Sequence, residues 1–361
     1  MTVHARSLLV TGGAGFIGAN YVQHRLRTHA ADRVVVLDAL TYAGNLRSLD
    51  SVATDQRFRF IRGDIGDIEA VVGALQHSAI DTLVHFAAET HVDRSIDAPD
   101  AFVSTNVVGT HTLLKASRAH WESLAGEARA AFRFHHVGTD EVYGSLGELD
   151  SSFTERTAFA PNSPYAATKA SADHLVRAYH RTYGLPVTTT NCSNNYGPFQ
   201  FPDKLIPSTL VRSLEGKPLP VYGDGQHRRD WLHVADHCNG IDLALDRGAL
   251  GESYNIGGGV EMTNLDLVRA LCASLDARFA ASADLRGRFP DAPGARRART
   301  EELITFVRDR PGHDRRYSID WARAADELGY RPSVKFERGL DETVAWYLEH
   351  EDWWRPMLSS P

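Results

Sequence analysis

The chain of 361 residues contains no apolar run of the roughly 18 residues that a membrane-crossing helix needs, and no basic and apolar leader opens it. The expectation is a protein that neither spans a membrane nor is secreted. Cysteine is scarce. Cys192, Cys238 and Cys272 lie far apart, match no metal-ligand spacing and leave an odd one over, so neither a disulfide scaffold nor a metal site is expected. Thiols used this sparingly fit a reducing cytoplasm. Positive charge is in deficit as well, with 39 Lys plus Arg against 46 Asp plus Glu and a net charge of -7. That balance argues against nucleic acid as a partner and leaves room for a small anionic ligand. The one basic cluster, Arg296, Arg297 and Arg299, reads as a solvated loop.

What is present is an ordinary globular composition, with 43% apolar or aromatic residues, 24% charged residues, 29 Gly and 15 Pro. The length is near the limit for a single core, so a large domain and an unequal second lobe sharing one cleft are expected. Short β-branched runs at residues 7–10, 34–37, 58–61, 82–86 and 132–137 alternate with amphipathic segments. Strands separated by helices imply an α/β fold, a Rossmann-like doubly wound parallel sheet. Residues 187–191 and 253–256 read as later strands of that sheet, and Trp353 and Trp354 as a cap on the core.

The first strand runs into Thr11-Gly12-Gly13-Ala14-Gly15-Phe16-Ile17-Gly18, a G-x-x-G-x-x-G turn that opens a helix. Glycine is needed there because the backbone must turn tightly and come close to a pyrophosphate, whose charge then sits at the helix N-terminus. The second strand ends at Asp38, 20 residues after Gly18, where a carboxylate can accept bonds from a ribose 2'-hydroxyl and would repel a 2'-phosphate. NAD is therefore expected over NADP. Asp64 and the run His85-Phe86-Ala87-Ala88-Glu89 follow the third and fourth strands at the carboxyl edge of the sheet, where ligands bind. Asp64 reads equally well as a helix cap or an adenine contact. With NAD on the first strands, the expected division is residues 1–190 for the NAD-binding lobe, with later strands returning near 230–256, and 191–361 mainly for a smaller α/β substrate lobe.

Tyr165 and Lys169 stand at i and i+4, on one face of a helix. The ammonium field is expected to lower the phenol, so that the phenolate can take a proton from an alcohol as hydride leaves. Between the two motifs, the fifth strand delivers Gly138-Thr139-Asp140-Glu141-Val142-Tyr143-Gly144 to the same edge. Thr139 reads as a partner for the substrate oxygen or as a helix cap. Asp140 and Glu141 read as first-turn acids or as a general acid and general base for eliminating water. Neighbours on a turn project in different directions, so this pair can address adjacent carbons.

Glycine fingerprint and Y-x-x-x-K together resemble the extended short-chain dehydrogenase/reductase superfamily. Thr139 to Gly144, Ser163-Pro164-Tyr165 with Lys169, Asn191-Cys192-Ser193-Asn194-Asn195-Tyr196-Gly197-Pro198, Arg229-Asp230-Trp231 and the segment from Asp309 to Tyr317 narrow the resemblance to the dTDP-glucose 4,6-dehydratases, over about residues 7–354. The resemblance implies a hydro-lyase with an internal redox cycle. Tyr165 removes the 4-hydroxyl proton as hydride passes to tightly held NAD, Glu141 takes the carbon 5 proton, Asp140 protonates the departing 6-hydroxyl, and hydride returns to carbon 6.

By the same resemblance the cofactor is lined by Gly12, Gly15, Phe16, Ile17, Gly18, Asp38, Thr41, Asp64, Ile65, Phe86, Ala87, Ala88 and Thr105, with Tyr165 and Lys169. The sugar nucleotide is held by Thr90, Thr139, Asn194, Asn195, Lys204, Leu205, Tyr222, Arg229, Asn264, His313 and Tyr317, with Lys204 and Arg229 suited to the pyrophosphate by charge. A homodimer through helices around residues 106–120 and 165–182 is implied too, although their apolar faces suit internal packing as well. The chain departs from the family pattern at Gly138 where Ser is expected, Ala39 where Lys is usual, and Thr90 in place of Ser. A sugar-nucleotide 4-epimerase and a catalytically idle NAD-binding regulator are the competing readings. The acid pair argues against the first, and the full set Thr139, Asp140, Glu141, Tyr165 and Lys169 against the second.

Overall fold

The valine and leucine of the first strands leave no polar face. In β1 (Ser7–Thr11) and β2 (Arg33–Asp38) every residue after the first is buried, the signature of a parallel sheet covered on both sides. The computed structural model, which describes residues 5–359, continues with β3 (Phe58–Arg62), β4 (Thr82–His85), β5 (Arg133–Thr139) and β6 (Val187–Cys192). Three short strands follow, β7 (Asn194–Tyr196), β8 (Leu219–Tyr222) and β9 (Arg228–His233), and then β10 (Ser253–Ile256) returns to the main sheet. The order across that sheet is β10-β6-β5-β4-β1-β2-β3, with every neighbouring pair parallel. The order reverses between β1 and β4, so the crevice outside their carboxyl ends is where a ligand belongs.

Alternate residues feed opposite cores. Leu8, Val10, Val34 and Val36 pack with Tyr21, Val22 and Leu26 of the helix Phe16–Thr28 and with Ile241 and Leu245 of the helix Val234–Arg247. Leu9, Val35, Leu37 and Leu83 pack on the other side with Leu75, Leu113, Leu114 and Val176. Each such side chain contributes about 1.5–3 kcal/mol by leaving water, so a one-residue register slip is strongly disfavoured. The centre of the sheet carries polar side chains as well. His135 on β5 meets Thr188 Oγ1 at 2.8 Å and Thr190 Oγ1 at 3.1 Å on β6.

A second core gathers Leu210 and Leu214, Leu267, Leu271 and Leu275, and Val344 and Tyr347 from three helices, Leu205–Leu214, Asn264–Ala281 and Phe336–Glu349. Trp353 and Trp354 close it. The Trp354 indole donates to Tyr347 O, and the Trp353 indole donates to Ser48 Oγ in the first lobe. Beside it lie two small sheets, β11 (Glu261–Thr263) with β9 and β7, and β12 (Ile304–Val307) with β8. Of the segments expected to return to the main sheet near 230–256, only Ser253–Ile256 does so. Arg228–His233 pairs instead with β7 and β11. Arg296 ends a short turn and Arg299 pairs with Glu301 at the surface. Among the described residues no helix is long and apolar enough to cross a membrane.

Candidate active site

The glycine turn is shaped by what lies against it. Gly12 has φ +71°, and a Cβ there would sit 2.5 Å from the backbone nitrogen of Ala87, in the loop after β4. A Cβ on Gly18 would sit 2.2 Å from Gly12 O. The helix that starts at Phe16 has no side-chain cap and no acid in its first turn, so its N–H groups and dipole are free for an anion. Asp38 accepts from Ala14 N at 2.9 Å and from Leu40 N at 2.8 Å, which pins the turn to the end of β2, and burial raises its carboxyl. These residues fit a dinucleotide pyrophosphate and its ribose. Asp64 is no helix cap. Its Oδ1 accepts from Gly66 N, and Asp67 caps the helix that follows.

The cleft above this turn has a volume of about 520 Å³, the size of a ligand site. It brings together every site residue expected from the sequence except Tyr317. Tyr317 is buried behind the wall, its ring 4.3 Å under the Arg229 guanidinium and its hydroxyl donating to Asp314. Its place is to support Arg229, which is 5% exposed and also donates to Asp314 O.

Ser163 and Pro164 set the start of the helix Pro164–Tyr183. The Ser163 hydroxyl accepts from Ala166 N, and proline suits the first helical position, so Tyr165 and Lys169 fall on the first two turns facing the cleft. The expected lowering of the phenol is not what the structure shows. Burial, with Glu141 and Cys192 nearby, raises Tyr165 well above the ordinary phenol range, against an opposing contact with Thr139. Lys169 is buried too, and its ammonium donates to Val137 O at 2.8 Å. The i, i+4 spacing reports a shared face, and the ammonium on that face has turned toward the strand.

The acid pair is asymmetric. Asp140 is 1% exposed, its Oδ1 lies 3.4 Å from the Thr139 hydroxyl, and its Oδ2 has no partner. Burial, then Glu141 and Asp230, drive its carboxyl well above the usual range. Burial raises Glu141 as well, but Arg310, Arg229 and Lys204 pull it back, and it is partly open to the cleft. Thr139 is also a cap, accepting from Glu141 N at 3.3 Å.

At the far end Lys204 donates to Thr90 O, which fixes both in the wall. Arg310, given no role from the sequence although its motif is visible, lines the cleft, donates to Asp93 Oδ1 at 3.0 Å and faces Glu141. His313 stacks on His227 with centroids 3.7 Å apart and planes 13° apart, both beside Asp309. These three residues bring donor atoms within 4.8 Å of one another, yet the lone pairs of face-to-face imidazoles lie in parallel planes and do not converge on one ion. The departure at Gly138 has a local cause. A Cβ there would lie 2.5 Å from Asn191 Nδ2, whose amide fills the space.

A family model described as GDP-mannose 4,6 dehydratase matches residues 9–343. The chain is 53% identical to a dTDP-glucose 4,6-dehydratase of Xanthomonas campestris pv. campestris (strain B100), over 97% of this chain and 95% of that one. It is 51% identical to the enzyme of the same name from Neisseria meningitidis serogroup B, over 98% and 96%. The crystal structure of DesIV, the dTDP-glucose 4,6-dehydratase of Streptomyces venezuelae, solved with NAD bound, superposes with a TM-score of 0.85 at 47% identity, covering 97% of this chain and 99% of that one. With the glycine turn, the Tyr and Lys pair and the two unequal acids on one cleft, this chain belongs to the dTDP-glucose 4,6-dehydratase family.

Proposed function

We propose that the chain converts dTDP-glucose to dTDP-4-keto-6-deoxyglucose with NAD retained through the cycle. The observation that carries this reading is the unequal setting of Asp140 and Glu141 beside Tyr165. Elimination needs one carboxyl that keeps its proton and one that gives it up, and environments that push two neighbouring acids apart assign those roles. NAD, when bound, supplies hydride acceptance at sugar carbon 4, hydride return at carbon 6 and a positive ring that lowers the neighbouring phenol.

Tyr165 takes the 4-hydroxyl proton, with Thr139 bonding the 4-oxygen and Lys169 holding the strand end against the helix. Once carbon 4 is a ketone, Glu141 takes the carbon 5 proton. Asp140, kept protonated by burial, delivers its proton to the 6-hydroxyl, which leaves as water. Arg229 and Lys204 hold the pyrophosphate, and Asn194, Asn195, Asn264 and His313 the remainder of the nucleotide sugar. A 4-epimerase needs Tyr165 and Thr139 but neither acid, and an idle regulator needs none of them.

The lobes divide this work, residues 1–190 carrying NAD and residues 191–361 mainly the sugar nucleotide, with Ser253–Ile256 returned to the first. The buried free thiols support a cytoplasmic setting. Exposed Val103, Val108 and Tyr183, near the helices expected to pair, support a homodimer. The deciding assay incubates the purified protein with dTDP-glucose, with the 4-keto-6-deoxy product's absorbance in alkali as the expected outcome. A product that keeps its 6-hydroxyl contradicts the reading.

A further inference from the structure

One buried acid close to the catalytic pair has no part in the chemistry above. Asp173 follows Lys169 by one turn of the helix Pro164–Tyr183 and is 7% exposed. Its Oδ2 accepts from Asn191 Nδ2 at 2.8 Å, and its Oδ1 lies 3.0 Å from His136 Nε2. The same Asn191 amide reaches Thr139 O at 3.3 Å. Lys169 donates to Val137 O, two residues earlier on β5. The helix is therefore stitched to the end of β5 at residues 137 and 139, by Lys169 directly and by Asp173 through Asn191. Gly138 between them leaves the space that the Asn191 amide occupies.

We propose that Asp173 is a positioning residue of this site: through Asn191 it sets Thr139, and with it the acid pair, against the helix Pro164–Tyr183, and it supplies the buried counter-charge of the Lys169 ammonium. The inference deepens the dehydratase reading and rests on it for the link to catalysis. A cation this buried needs a partner charge, or it gives up its proton. The other titratable groups facing Lys169 do not provide one. His136 on β5 and His85 on β4 are both pushed toward the neutral form by burial, and the thiol of Cys192 on β6 is pushed up. Burial lowers Lys169, and Asp173 is the first opposing influence.

The chain has five lysines, Lys115, Lys169, Lys204, Lys217 and Lys335, so lysine labelled with carbon-13 at the ε position gives a countable set of signals. Lys169 is assigned by its loss in Lys169→Met. In the enzyme as purified, Asp173→Asn is expected to lower the Lys169 titration midpoint by about one pH unit, the lower end for loss of a nearby opposite charge. Turnover of dTDP-glucose should fall roughly 10-fold, with its alkaline limb moved to lower pH and KM little changed. Asn191→Ala, which cuts the tether and leaves the carboxylate, should lower turnover with the lysine midpoint unmoved. A wild-type midpoint in Asp173→Asn overturns the counter-charge, and wild-type turnover in Asn191→Ala overturns the tether. If Asp173→Asn does not fold, Asp173→Glu decides: it should keep the Lys169 midpoint and restore part of the turnover, and a midpoint that moves there overturns the inference. The midpoint is read without substrate, so failure of the wild type to release water from dTDP-glucose would sink the dehydratase reading, and the tether's link to turnover with it, without touching the counter-charge.

Discussion

Asp242 and Asp140 are both nearly closed off from water. Asp242, on the helix Val234–Arg247, accepts from Tyr21 at 2.9 Å and from Arg25 at 2.8 Å on one oxygen, and meets His24 and His29 on the other. Burial alone would raise it, yet these partners hold it far below the ordinary carboxylate range. Asp140 has a weak contact on one oxygen and nothing on the other, and it is raised. One fold thus treats two buried acids in opposite ways. The satisfied one ties the helix Phe16–Thr28 to the helix Val234–Arg247. The unsatisfied one is a local weakness of the kind a reacting centre uses, where a group must change its protonation.

The largest effect expected from breaking this contrast is on stability. Asp242→Asn leaves Arg25 buried with only Asp32 opposite it, so unfolding free energy should drop by about 3 kcal/mol, with activity per folded molecule preserved. Denaturant unfolding measures it. The dependence on pH follows from the lowered carboxyl. The Asp242 contribution is complete above the unfolded value near 4 and is lost as pH falls below it toward the folded value. The difference between wild type and variant should therefore be flat at neutral pH and shrink in acid.

Asp140→Asn should behave in the reverse sense. A carboxyl raised by folding weakens the folded state as pH climbs above the unfolded value, so the amide variant should be at least as stable as the wild type at neutral pH, with the gap closing toward pH 4. Its turnover should nevertheless fall by roughly 100-fold, the usual worth of a positioned acid. Paired melting curves and steady-state rates across that pH range read both. A variant that loses stability and keeps turnover would make Asp140 a structural acid like Asp242.

All seven main-sheet strands are legible in the sequence because most are apolar or β-branched runs of four or more residues, several of them set apart by helices. The small strands are not. β7 and β11 have three residues each and pair with β9 across long separations, and β8 contains Pro220, tolerable because it pairs with β12 alone. The cleft is legible nearly whole, since its residues fall in motifs at the carboxyl ends of strands. Motifs do not tell which layer a side chain joins, and so Tyr317 turns out to stand behind Arg229 while Arg310 lines the wall. Nor does spacing tell where an ammonium points. Lys169 reaches Val137 O, and burial decides the phenol at Tyr165.

The central claim is that oxidation and elimination are separate labours of one cleft, the second belonging to the acid pair. Glu141→Gln keeps the shape and removes the base. Incubated with dTDP-glucose in heavy water, with bound cofactor followed by stopped-flow absorbance and the sugar by mass spectrometry, the variant should accumulate reduced nicotinamide and take up no deuterium at carbon 5. Formation of the 6-deoxy product at an undiminished rate, with deuterium at carbon 5, would contradict the account.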